Sequence, residues 1–205
     1  MITRNASYYY QRGGSLIELM IASLIGLVLL GVIGSVFITL QKTAREKNLE
    51  LHLLQGLNVT SMMMKGDIQR AGYDGGNGHS LKLSGALSTI AVSGASSIGF
   101  VYFREGSRNN NNYRNIKYEK DGYKLVICET GVASQDQLLT IDSVGNCESL
   151  FDENIIQVTH FLVSASSVTN GSKLSGITDV SLGLQTKDGT LNKVASFSVK
   201  QRNWQ

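Results

Sequence analysis

Charge is absent from one stretch of this chain and spread thinly over the rest. From Leu19 to Gln41, 23 consecutive positions (LMIASLIGLVLLGVIGSVFITLQ) carry no charged residue. At 1.5 Å rise per residue this run makes a helix about 34 Å long, enough to cross a hydrocarbon core of about 30 Å. No other stretch compares with it, so the pattern predicts one membrane span. A removable secretory signal is the competing reading, but its apolar region runs to about 7–15 residues and ends at a small-residue cleavage site. Here the run is longer and passes into QKTAREKNLELHLL, whose composition stays helical. Glu18 stands inside the apolar block, which begins at Leu16. An ionised carboxylate in hydrocarbon is costly unless paired, so this acid marks a functional position.

Beyond the span the period remains helical but becomes one-sided. At about 100° per residue, Leu49, Leu53, Leu57, Met64, Ile68 and Ala71 fall within one arc of about 100°, with Glu50 and Asp67 at its edges. Met62-Met63-Met64 reads as core packing, Gly56 and Gly66 are places for bends, and Gly72 followed by Asp74-Gly75-Gly76-Asn77-Gly78 ends the helix. Past Asp74 the texture changes to short alternating runs. Ser97–Arg104, Tyr113–Lys120, Tyr123–Cys128, Ile155–Ser164, Ile177–Thr186 and Lys193–Lys200 read as strands, with hairpin turns at Asp121-Gly122 and Asp188-Gly189. The expected fold is α+β: a long N-terminal helix, one half transmembrane and one half amphipathic, packed on an antiparallel β-sheet domain. The divisions read from the pattern are residues 14–41 for the spanning helix, 42–73 for its amphipathic continuation and 74–205 for the β domain.

Composition narrows the function classes. Apolar residues make up 42% and charged residues 17%, which excludes a disordered tail; the formal charge of +3 is too balanced for an obligate nucleic-acid binder. Two cysteines and the scattered His52, His79 and His160 offer no zinc set, and no metal or cofactor is expected. GxSxG, HExxH and GxxxxGK[ST] are all missing, and Gly76-Asn77-Gly78 does not complete GxGxxG, so the chain reads as a non-enzyme. His160, alternating with Val158 and Leu162, reads as an ordinary hydrogen-bonded strand histidine. Asp74, Asn77 and Asp188 have calcium-ligand chemistry, but each sits in a glycine turn that needs such a residue for its conformation alone.

Arg12-Gly13-Gly14-Ser15-Leu16-Ile17-Glu18-Leu19-Met20 resembles the class III signal of type IV pilins and type II secretion pseudopilins. The resemblance implies a leader over residues 1–13, cleavage by prepilin peptidase between Gly13 and Gly14, and Glu18 as fifth residue of the mature chain. In that family the first mature residue is usually phenylalanine or methionine and becomes N-methylated; here it is Gly14. The resemblance also implies that Glu18 pairs with the N-terminal amine of a neighbour during assembly. Such pairing removes two charges from an apolar setting and rewards one axial register. A second segment, Met63–Tyr73 (MMKGDIQRAGY), is similar to the end of the long helix in PilW-type minor pilins, where an acid–apolar–x–Arg–x–Gly–Tyr pattern recurs; Val199-Lys200-Gln201-Arg202-Asn203 resembles their terminal strand.

The family likeness implies a minor pilin that primes or caps a type IV pilus, held in the inner membrane by a single pass with a periplasmic C-terminal domain, then carried into the fibre or its tip. Its partners would be other minor and major pilins, the peptidase, the inner-membrane assembly platform and, before assembly, membrane lipid. Basic residues on the two flanks (Arg4 and Arg12 against Lys42, Arg45 and Lys47) do not favour one orientation. Cys128 and Cys147, 19 positions apart, are expected to form a disulfide in an oxidising periplasm, and this favours the outward domain. Two alternatives stand beside this reading: a type II secretion minor pseudopilin, and a tip subunit for DNA binding or adhesion. For the second, Arg104, Arg108 and Arg114 flank an asparagine run and Tyr113, which offers phosphate contacts with stacking; the plain reading is a solvated hairpin loop.

Overall fold

The computed structural model describes residues 13–170 and 173–201. The expected leader as far as residue 12, with Arg4 and Arg12, and the terminal Arg202 and Asn203 lie outside the described residues. One helix, α1, runs from Leu16 to Arg70. The Ser15 carbonyl opens it by accepting the amides of Glu18 (2.9 Å) and Leu19 (3.2 Å). Ser15 and Glu18 also have the Ser-x-x-Glu spacing of a helix-capping box.

The apolar run of α1 is suited to lipid in a way composition alone does not reveal. Its hydroxyls are turned inward along the helix: Ser23 donates to the Met20 carbonyl (2.9 Å), Ser35 to Val32 (2.8 Å), Thr39 to Ser35 (3.0 Å) and Thr43 to Thr39 (3.1 Å). Each of these hydroxyls therefore has a partner without water. No side chain between Leu16 and Gln41 is buried. By length and composition the helix fits a single-pass membrane anchor.

The chain divides into two compact units between Asn48 and Leu49. Among the described residues, eight strands belong to the second unit. Strands β1 (Ala91–Val92), β2 (Ser97–Phe103), β3 (Tyr113–Asp121), β4 (Lys124–Val132) and β5 (Cys147–Ser149) form an antiparallel sheet in that order. Strands β6 (Ile156–Asn170), β7 (Lys173–Thr186) and β8 (Asn192–Lys200) form a second one. Backbone bonds from Val163 to Ala95 (2.9 Å) and from Val158 to Tyr123 (2.8 Å) link the two. The outcome is the α+β, pilin-like fold expected, with its strands distributed over two sheets.

The core lies where α1, from Leu53 onward, meets both sheets. Leu53, Met64 and Ile68 are fully buried with Phe100, Tyr118, Phe161 and Leu182. Strand β2 is covered on both faces: Ile98, Phe100 and Tyr102 enter this core, while Val101 joins Leu81 and Leu83 in a smaller cluster behind the sheet. A side chain at Gly99 would come within 2.8 Å of Ile141 and 2.9 Å of Leu83, so glycine there permits the close approach of the loops.

α1 is continuous through Gly56 and Gly66, and Gly56 leaves room for the Phe151 ring, which a β-carbon would meet at 3.1 Å. Several expectations are corrected. Met64 is fully buried in the core and Met63 packs against it, while Met62 is 73% exposed. Asp67, placed at the edge of the stripe, is buried. Cys147 opens the short strand β5, where it pairs directly with Cys128 of β4. His160 leaves the apolar alternation: the β6–β7 register shifts between Val158 and His160, and the ring bonds to Thr159 (3.3 Å) and Ser181 (3.2 Å), while Leu162 is 51% exposed. The extra residue of a β-bulge re-aims the side chains that follow it.

Candidate functional site

Two sets of residues carry the chemistry: the start of α1, and the end of α1 where it docks on the sheets. At the start, Gly13 and Gly14 precede the helix and are exposed, and among the described residues nothing lies within 4 Å of where a Gly13 side chain would stand. An open, side-chain-free backbone of this kind can enter a protease in extended form. Glu18 lies in the first helical turn, exposed, with one carboxylate oxygen 3.8 Å from the β-position of Gly14. Its surroundings are apolar: Ile17, Ile21, Ala22 and Ile25 line the same groove. Among the described residues no cation pairs with Glu18.

At the other end the segment Asp67–Tyr73 makes a joint. The Tyr118 hydroxyl, from the fully buried centre of β3, donates to Asp67 Oδ2 at 2.5 Å. Arg70 Nη2 donates to Asp67 Oδ1 at 2.8 Å, and its guanidinium lies 5.4 Å from the centre of the Tyr102 ring on β2. Burial raises the Asp67 pKa above the ordinary carboxylate value, opposed in turn by the Tyr118 hydrogen bond and the Arg70 charge. Burial and then the Asp67 carboxylate push the Tyr118 hydroxyl far above the usual phenol range, so it remains a donor. Ile68 and Ala71 are fully buried. Gly72 takes a left-handed turn (φ 83°) out of the helix and gives its amide to the Val101 carbonyl at 2.8 Å, while Phe103 donates to Tyr73 at 2.7 Å. Each member of the acid–apolar–x–Arg–x–Gly–Tyr pattern except the x positions thus has a structural task.

The glycine turn that follows is also built on an acid. Asp74 is buried, and its carboxylate accepts the amides of Gly76 (3.0 Å), Asn77 (3.0 Å) and His79 (2.6 Å). These donors, His79 first, hold its pKa below the usual carboxylate value. Asp188 is engaged in the same manner by Thr186 (2.5 Å) and Thr190 (amide 3.1 Å). Both carboxylates are turned onto their own loops, and among the described residues no cluster of three or more His, Cys, Asp or Glu could hold a metal ion.

Cys128 and Cys147 form a disulfide across adjacent strands β4 and β5. The three arginines of the β2–β3 loop are not alike. Arg114 lies on β3 and is bonded to Glu129, with Nε donating at 2.5 Å. Arg104 and Arg108 are exposed on a loop stapled by Arg104 N to Asn112 O (2.7 Å) and Ser107 N to Asn112 Oδ1 (3.1 Å). Sequence reasoning missed Tyr118, Tyr102 and Glu129. The signal for Tyr118 was its alternation with Ile116, which puts both on the inward face of β3.

Neither the curated proteins nor the solved structures offer a match to this chain. Residues 46–201 match the family described as PpdB, prepilin peptidase-dependent protein B. The matched residues cover all but the last four residues of the second compact unit and stop short of Gly13–Met20, so the peptidase-type motif and the family match are separate observations that agree. The chain belongs to the prepilin peptidase-dependent protein B family and is a pilin-like protein.

Proposed function

We propose that the chain is a minor pilin of PilW type that primes or caps a type IV pilus. Prepilin peptidase cuts between Gly13 and Gly14, the apolar part of α1 holds the product in the inner membrane with its β domain in the periplasm, and the assembly platform draws it into the fibre. The chain is then an assembly part and a peptidase substrate, with no reaction of its own. The observation that carries this reading is the lone carboxylate of Glu18, exposed in the first turn of an apolar helix directly after two open glycines. Cleavage at Gly14 creates a new amine near the carboxylate, and the amine of an adjoining subunit supplies its counter-charge. Glu18→Ala should leave processing intact and sharply reduce recovery in sheared fibres. Equal recovery of variant and wild type removes the assembly role. Cell-surface fibres, rather than a secretion pseudopilus, are the expected site of recovery.

A second reading rests on the stapled loop. Arg104 and Arg108 are exposed and offer two cations to a phosphate backbone, whereas Arg114 is held by Glu129. The DNA contact narrows to the first two.

A further inference from the structure

The apolar run ends abruptly in cations. Lys42 and Arg45 follow its last uncharged residue, Gln41, and stand on successive turns of α1 about 60° apart, hence on one side of the helix. Both are exposed, and among the described residues neither forms an ion pair, although Glu46 is close in sequence. The neighbouring Thr43 hydroxyl is turned back to Thr39 and does not compete for a ligand. Long basic stems at a membrane boundary lie along the hydrocarbon and lift their charges to the headgroup layer.

Resting on the membrane-anchor reading, we infer that Lys42 and Arg45 form a two-pronged contact for the phosphate of an anionic phospholipid in the leaflet facing the β domain. The geometry supplies a second consequence. Lys42 follows Glu18 by about 36 Å of helix, slightly more than a hydrocarbon core of about 30 Å. With the basic pair held at one headgroup layer, Glu18 reaches the other and stays hydrated until the chain is withdrawn. The phosphate contact thus fixes the depth of the helix before assembly and has to be given up on extraction.

The test uses the mature full-length chain in detergent micelles, titrated with phosphatidylglycerol or phosphatidylethanolamine and read by native mass spectrometry as lipid retained. Wild type should retain phosphatidylglycerol preferentially, and Lys42→Gln/Arg45→Gln should bind it about tenfold more weakly, since each basic residue near an anionic surface contributes appreciably. Helix content by circular dichroism should be unchanged, as neither side chain is buried. Equal retention by the two chains overturns the proposal. Displacement by inorganic phosphate at millimolar concentration also overturns it, by showing a general anion site. Resistance of wild type to alkaline extraction from vesicles is the separate check on the anchor itself; its loss rejects the anchor reading rather than the phosphate contact alone.

Discussion

Replacing Tyr118 with phenylalanine removes one oxygen from the middle of the domain and leaves the ring in place. That oxygen is the donor to Asp67 Oδ2 at 2.5 Å, and Asp67 is 7% exposed, so water cannot readily take over the bond. A hydrogen bond to a charged group contributes about 1.5–3 kcal/mol, and here the carboxylate keeps only Arg70 as a side-chain partner. We expect a loss of about 2 kcal/mol at neutral pH, or about 4–8 °C in Tm for a unit of this size. The pH dependence separates this mechanism from simple loss of packing. Asp67 has a raised folded pKa, so between the unfolded value and the folded one the native state holds more protons, and its contribution to stability falls as pH rises. The hydrogen bond from Tyr118 opposes that rise, so Tyr118→Phe lifts the folded pKa further. The cost of the substitution is therefore greatest above the variant's folded pKa and shrinks on acidification as Asp67 takes up a proton. Urea unfolding of the mature chain in micelles, followed by tyrosine fluorescence from pH 4 to pH 8, measures this. A cost that stays constant over that range, or one below about 0.5 kcal/mol, refutes the reasoning.

Other outcomes follow from single features. Gly99→Ala pushes a methyl group against Ile141 and Leu83 and should cost about 1–3 kcal/mol by thermal melt, whereas Gly76→Ala meets nothing within 4 Å and should differ only through its backbone conformation. Gly72→Ala forces a side chain into φ 83° at the helix end and should lower stability by about 1–2 kcal/mol without altering cleavage between Gly13 and Gly14. Replacing both Cys128 and Cys147 by serine opens a link between residues 19 apart and should cost about 3 kcal/mol, seen as a matching drop in the wild-type midpoint when reductant is added. Arg104→Ala/Arg108→Ala should weaken DNA binding by intact fibres and reduce its salt slope by about two; an unchanged slope ends the DNA reading.

The apolar half of α1 was readable because uncharged length is a one-dimensional property, and the strand positions because alternation and Asp-Gly turns are local. Their partition into two sheets was not, since alternation records which face is inward and not which strand lies alongside. The ends of β6 and β7 were missed for a related reason: they continue past the apolar alternation through Ser166, Ser167 and Gly176, whose pairing is held by backbone bonds. Asp67 was the most instructive miss. Its helical angle put it at the margin of the stripe, and an acid there is ordinarily solvated. It is buried because Tyr118, 51 residues away, and Arg70 both reach it. The start of the helix was legible as a motif, but only the structure placed Glu18 next to Gly14 with no cation paired to it among the described residues.

The inward-turned serines and threonines of α1 bear on reversibility. A helix whose hydroxyls bonded outward would form new bonds on every change of surroundings and would have to break them again to leave. Between Leu19 and Leu40 this one turns hydrocarbon outward, with Ser23, Ser35 and Thr39 each occupied by a carbonyl of its own backbone. The rod can therefore exchange acyl chains for neighbouring side chains, and return, without breaking a hydrogen bond along its length.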